Sequence, residues 1–238
     1  MALNTTPTDP SADSYVTLEE AKSYLQDRTD VSDWEALDDN QKEAVLKLAT
    51  KHINSMRFFN KPLIDYPTYY RDKQALKFPT KKEDHVTGAV DSAGNTTLVD
   101  SGLANKINMP DDYYNDGAVI ITDGTGKGQT RKISDFVSSS GTITVSSAWT
   151  INPDSTSSYL VIVKIPQEVR DATVEQALYI VKGGGERAKL QAEGVEEYKI
   201  GDLMERFNSG VSGGDAVPIS LEAKGLLKGF ISKIGKLL

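Results

Sequence analysis

Few residues in this chain are equipped for chemistry. Histidine occurs at two positions, His52 and His85, and cysteine at none. A disulfide framework, a thiol nucleophile and a thiolate metal site are therefore excluded. His52 lies on the apolar face of a helical pattern. A metal-ligand or general-base role competes there with a histidine hydrogen-bonded at the edge of a core, and the isolated position favours the second. No G-x-S-x-G nucleophile motif occurs. Nothing in the spacing of the 34 acidic residues singles out a carboxylate pair. These observations read as a non-enzymatic protein with no cofactor and no metal.

Two stretches invite a ligand. Asp123-Gly124-Thr125-Gly126-Lys127-Gly128-Gln129-Thr130 has the glycines and lysine of a phosphate loop. That motif requires Ser or Thr directly after the lysine and a helix to follow. Here Gly128 follows Lys127 and a strand-like QTRKI comes next, so a hairpin tip is the better reading. The acidic clusters Asp111-Asp112 and Asp123-Gly124 lack the alternation of a calcium loop and read as turn chemistry. The second stretch is RFFNKPLIDYPTYYRDKQALKFPTKK, residues 57–82. Arg and Lys interleave with Phe58, Phe59, Tyr66, Tyr69 and Tyr70, the composition of a stacking platform for single-stranded nucleic acid. The competing reading is a loop wrapped over a helical bundle, aromatics inward and charges solvated.

Hydrophobic residues make up 38% and charged residues 26% of the 238-residue chain, a globular composition. The net charge is −7 and the sequence pI about 5.0, which argues against a broad basic face. MALNTTPTDPSADS has neither the basic start nor the apolar centre of a secretion signal. No apolar run approaches the ~20 residues that span a bilayer. Residence in a cytoplasm is the expectation.

The elements that must position these stretches are legible from local signals. Thr17-Leu18-Glu19-Glu20 is a capping box opening a short helix, with Val16 and Ala21 as its staple. Asp38-Asp39-Asn40-Gln41 opens a second, whose apolar face is Ala44, Val45, Leu48, Ala49, His52, Ile53 and Met56. Residues 83–163 turn rich in Gly, Ser, Thr, Asn and Asp. Strands are expected near Gly88–Asp91, Thr96–Asp100, Gly117–Thr122, Gln129–Phe136, Thr142–Ser146 and Ser158–Lys164, as a small antiparallel barrel or sandwich. Ile165 to Lys182 is the strongest helix, ended by Gly183-Gly184-Gly185. Its narrow polar stripe is Asp171, Glu175 and Lys182. An apolar surface this wide needs cover on two sides, so Val174, Leu178 and Val181 are expected to meet a neighbouring subunit. Gly194–Asp202 reads as extended and residues 208–215 as a linker. Pro218–Leu238 carries an amphipathic face of Leu226, Leu227, Phe230, Ile231, Ile234, Leu237 and Leu238. Its glycines make it marginal alone, so docking in a partner's groove is expected. Folding back on its own domain and lying on a membrane surface are the alternatives.

Several of these pieces together carry a resemblance. They are Ser14–Ala21 with Tyr24-Leu25, the helix from Asp39 to Met56, Gln74–Pro79, and Ile165-Pro166 with Ala172-Thr173 and Glu175–Leu178. Gly194-Val195, Lys199–Asp202 and Ala223–Ile231 complete the series. In this order they resemble the head–tail adaptor (connector, head-completion) proteins of tailed bacteriophages. Some relatives there are labelled primosomal-type single-strand-DNA-binding proteins. The resemblance implies a helical-bundle adaptor domain, here discontinuous (1–82 and 164–207). The inserted antiparallel β-barrel or sandwich (83–163), read from its residue texture, departs from the smallest relatives. A linker with an amphipathic docking tail (208–238) completes an expected α+β fold. It implies a ring, typically twelve-fold, beneath the portal in a virion neck, assembled in the host cytoplasm. The implied partners are the portal protein, neighbouring adaptor subunits and a downstream neck or tail-terminator protein. Genomic double-stranded DNA would pass through the channel without specific binding. Single-stranded-DNA binding in replication is the alternative function.

Overall fold

The computed structural model describes residues 2–65, 73–184, 197–200, 203–206 and 217–231. The chain divides into two compact units. One comprises Met1–Leu3, Ser14–Phe59 and Gln167–Leu238, the other Asn4–Asp13 and Asn60–Pro166.

The second unit is built on a seven-stranded antiparallel sheet. Its strands are β1 (His85–Ala89), β2 (Ser92–Ala93), β3 (Thr97–Val99), β4 (Ala118–Asp123), β5 (Thr130–Val137), β6 (Thr142–Val145) and β7 (Ser158–Ile162). Each of the six expected strand regions overlaps one of these. The order is β1-β7-β4-β5-β6-β3-β2, with β1 and β2 as unpaired outer edges. The sheet is open. The expected closed barrel or sandwich, inserted as a minor module into a helical bundle, is thus incorrect: the sheet is the dominant layer and the helices are few. Strand spacing reports the number of strands; closure depends on whether the outer two pair, and these do not. The core under the sheet joins Leu98, Val119, Ile121, Ile133, Phe136, Ile143, Tyr159 and Val161 with Leu103, Tyr114 and Trp149 from the connections. Tyr114 meets Phe136 edge-on, centroids 5.0 Å apart, a geometry favoured by the ring quadrupoles.

One polar pair sits inside this core. The Tyr159 hydroxyl donates to Asp100 Oδ2 at 2.6 Å, and Gly102 N–H donates to Asp100 Oδ1 at 2.6 Å. Gly88 makes room for it. A Cβ there would stand 2.5 Å from both Asp100 Oδ2 and Tyr159 Oη.

The first unit carries α1 (Leu18–Leu25), α2 (Ser32–Glu35), α3 (Asp39–Ser55), α4 (Gln167–Val181) and α5 (Leu221–Leu226), with a two-stranded hairpin of β8 (Glu197–Ile200) and β9 (Leu203–Arg206). Both capping boxes form: Thr17 with Glu20 and Asp38 with Gln41. Each satisfies backbone donors that a helix start leaves orphaned. Trp34 is fully buried on α2.

Helix α4 is covered by its own chain. Val174, Ala177 and Leu178 pack with Val16, Ala21, Leu25, Trp34, Leu46 and Ala49, and Val181 is half-buried against the same cluster. α5 packs along α4 as well. The polar positions are enclosed too. Glu175 accepts from the Tyr24 hydroxyl at 2.8 Å and from Arg28, and Arg170 donates to Glu20 and Gln167. The expected solvent stripe therefore fails at Glu175, which is 7% exposed.

Candidate nucleic-acid interface

Counting charge along the chain isolates residues 57–82. They hold seven Lys or Arg against two Asp, a net of +5, which leaves −12 for the rest. Six aromatic residues share the same 26 positions. The two units each position part of this stretch. Tyr66, Tyr69, Tyr70 and Arg71 lie outside the described residues.

In the helical unit, α3 ends at Ser55 and Met56 turns the backbone extended. Met56 is buried, Arg57 exposed, Phe58 half-buried and Phe59 60% exposed. Phe59 N–H donates to the Phe230 carbonyl at 2.9 Å, and Phe58 forms an antiparallel bridge with Ile231. The backbone at Phe59 is thus held by pairing while its ring stays in solvent.

In the sheet unit, residues 61–64 run antiparallel to 79–81. Pro62 bridges Thr80, Leu63 N–H donates to Pro79 O at 3.0 Å, and Lys81 N–H donates to Lys61 O at 3.1 Å. Gln74 ties the two segments together. Its Oε1 accepts Ile64 N–H at 2.9 Å, and its Nε2 donates to the carbonyls of Leu76 at 2.8 Å and Pro79 at 2.9 Å. This register places Lys61 directly opposite Lys81. Opposed residues of an antiparallel pair share a face, and like charges in that position destabilise it. Lys61, Lys81 and Lys82 are all exposed. Lys61 has Asp65 at 3.8 Å. Among the described residues no carboxylate pairs with Lys81 or Lys82.

Three other basic side chains of this unit are committed to structure. Arg131 lies over the Trp149 ring at 5.6 Å and donates to Ala148 O at 2.9 Å and Thr150 Oγ1 at 3.0 Å. Lys132 pairs with Asp116 at 2.9 Å and Lys127 with Asp123 at 2.8 Å. The Asp123–Gln129 stretch is a hairpin tip leading into β5. Gly126 has φ +78°, and Gln129 Nε2 donates to its carbonyl at 3.0 Å. No helix follows to receive a phosphate.

His52 is half-buried, and burial lowers its pKa. Gln176 faces it, with Nε2 3.1 Å from Nδ1. Gln176 Oε1 accepts Ser220 N–H at 2.9 Å, so the amide's other end must donate. His52 Nδ1 is therefore the acceptor, and the histidine is used in the fold. Among the described residues, no group of three His, Asp or Glu is placed to hold a metal.

The residues expected to contact other subunits fall as follows. Val174 and Leu178 are buried and Val181 half-buried in the chain's own helical core. Leu227 is buried, while Leu226, Phe230 and Ile231 are half-buried. Ile234, Leu237 and Leu238 lie outside the described residues. Among the described residues the tail forms the six-residue α5 and a 3₁₀ turn, Leu227–Gly229. What sequence reasoning passed over was Lys61 opposite Lys81. The cluster of cations was countable, but their opposition depends on a pairing between segments 20 residues apart.

A protein of an open antiparallel sheet and a small helical unit, with one basic aromatic segment, is what these features define. A family model described as "Putative DnaT-like ssDNA binding protein" matches residues 1–94. None of the curated proteins compared with the chain matches it. The family match spans residues 57–82 and overturns the phage head–tail adaptor resemblance. With it go the virion-neck role, the portal, the dodecamer of adaptor subunits, the neck or tail-terminator protein and the passive passage of genomic duplex. The motifs that carried the resemblance are mainly helix starts and helix faces, which encode local structure and not a partner. The physical argument for a ring also lapses, because α4 finds both of its covers within the chain.

Proposed function

We propose that this chain binds single-stranded DNA through the basic aromatic segment 57–82, in a binding role without catalysis. One observation carries the reading: Lys61 and Lys81 stand opposite each other with Lys82 alongside, an arrangement that a bound phosphate relieves. The family match over residues 1–94 supports the same ligand. Phe59, 60% exposed at the start of the segment, offers a stacking surface for an unpaired base, which a duplex does not supply. The charge outside the segment, −12, opposes a wide duplex footprint.

Fluorescence anisotropy with a labelled oligothymidine tests this. Lys81→Glu is expected to weaken binding about ten-fold or more, with the fold intact by circular dichroism. Unchanged affinity in that variant contradicts the role given to the lysine pair.

A further inference from the structure

We infer that the C-terminal segment forms part of the single-strand-binding surface, with Lys228 joining Arg57 and Phe59 in one contact on the helical unit. This rests on the single-strand reading and extends it to a residue 134 positions beyond the end of the family match.

The inference starts from the backbone. Phe59 N–H donates to Phe230 O at 2.9 Å, and Phe58 bridges Ile231. The C-terminal chain is thus fastened alongside the start of the basic aromatic segment. It is fastened at its other end too. Gln176 on α4 accepts Ser220 N–H at 2.9 Å and donates to Pro218 O at 2.9 Å. Ser220 caps α5, its side chain accepting Ala223 N–H at 3.0 Å. Between these anchors Ala223 and Leu227 are buried, which fixes the rotation of the segment about its axis.

With those two turned inward, Lys224 and Lys228 are exposed. Lys228 stands two residues before Phe230, whose carbonyl holds Phe59. On the other strand of the bridge Arg57 is exposed two residues before Phe59. Along the paired backbones the two cations therefore lie on opposite sides of Phe59, whose backbone is held and whose side chain is 60% exposed. Among the described residues it is the one aromatic among the exposed large apolar side chains. A base stacked on the ring, with phosphates towards Arg57 and Lys228, matches the chemistry of sequence-tolerant single-strand recognition. α5 gives way to a 3₁₀ turn, Leu227–Gly229, on which Lys228 stands.

Anisotropy titrations of the full chain with a labelled 20-nucleotide oligothymidine, over a range of salt, test the inference. Phe59→Ala is expected to weaken binding about five-fold or more, the loss of one stacked base. Lys228→Ala is expected to weaken binding several-fold and to lower the slope of log K against log salt by about 0.7, the loss of one phosphate contact. Circular dichroism and a thermal melt check that both variants fold. Lys106→Ala, an exposed lysine on the sheet unit, serves as the control and is expected to leave affinity and slope unchanged. If the wild-type chain binds and Phe59→Ala and Lys228→Ala match it in affinity and slope, the inference is overturned while the single-strand reading stands. Absence of binding by the wild-type chain overturns both.

Discussion

Gln176 holds Ser220 by its backbone. The side-chain Oε1 on α4 accepts the Ser220 N–H at 2.9 Å, across 44 residues of sequence. The amide's Nε2 donates to Pro218 O at 2.9 Å and faces His52 Nδ1 at 3.1 Å. Ser220 is 2% exposed and Gln176 fully buried, so neither the Ser220 N–H nor the Gln176 amide can turn to water instead. A single side chain thus joins α3, α4 and the C-terminal segment.

Gln176→Ala is expected to lower stability by about 2–3 kcal/mol, because it leaves a buried N–H and a carbonyl without partners. Urea denaturation measures this. A loss below about 0.5 kcal/mol contradicts the role described for the amide.

Acid acts on the same junction. Burial holds the His52 pKa below its ordinary value, so the unfolded chain binds the proton more tightly than the folded one. The sign follows: stability is full above the unfolded pKa near 6.5 and is lost as pH falls through the lower folded value. Protonated Nδ1 also sets two donors against each other at Gln176. The melting temperature is expected to fall between about pH 7 and pH 5, and His52→Gln to reduce that fall. Equal pH dependence in the two proteins contradicts the assignment.

In the sheet unit, Gly88→Ala is expected to cost about 1–3 kcal/mol through overpacking against Asp100 and Tyr159. Tyr159→Phe removes the partner of a buried carboxylate and is also destabilising, readable in the same denaturation experiment. Burial, then Asp100, raises the Tyr159 hydroxyl well above the ordinary tyrosine range, and burial pushes Tyr114 up to about 12. Raised pKa values give stability that is intact below pH ~10 and lost as pH climbs beyond it. Tyrosinate absorbance is expected to appear in step with alkaline unfolding. Ionisation of all tyrosines near pH 10 with the fold retained contradicts this.

What the sequence made legible was local. The Thr17–Glu20 and Asp38–Gln41 boxes are complete within four residues, and both form. The strands of the sheet unit declare themselves by short apolar runs between turn residues. Long-range pairings were not legible. Glu175 reads as part of a solvent stripe until Arg28, 147 residues away, covers it. Leu226 and Leu227 read as a docking face, for a partner or for their own domain, and the choice rests on distant groups: Gln176 and Phe59 fasten their segment within its own unit. Lys61 and Lys81 read as two of many cations until the Pro62–Thr80 bridge sets them opposite each other. In each case a side chain's environment depends on a distant segment that periodicity does not specify.

The single-strand reading turns most directly on one comparison. Anisotropy titrations of the full chain with a 20-nucleotide oligothymidine and with a duplex of equal length, both at physiological salt, measure the preference. The account predicts that the single strand binds at least about ten-fold more tightly, with affinity falling as salt rises by a slope of about −0.7 for each phosphate neutralised. Equal or tighter binding of the duplex, or no binding of the single strand, contradicts it.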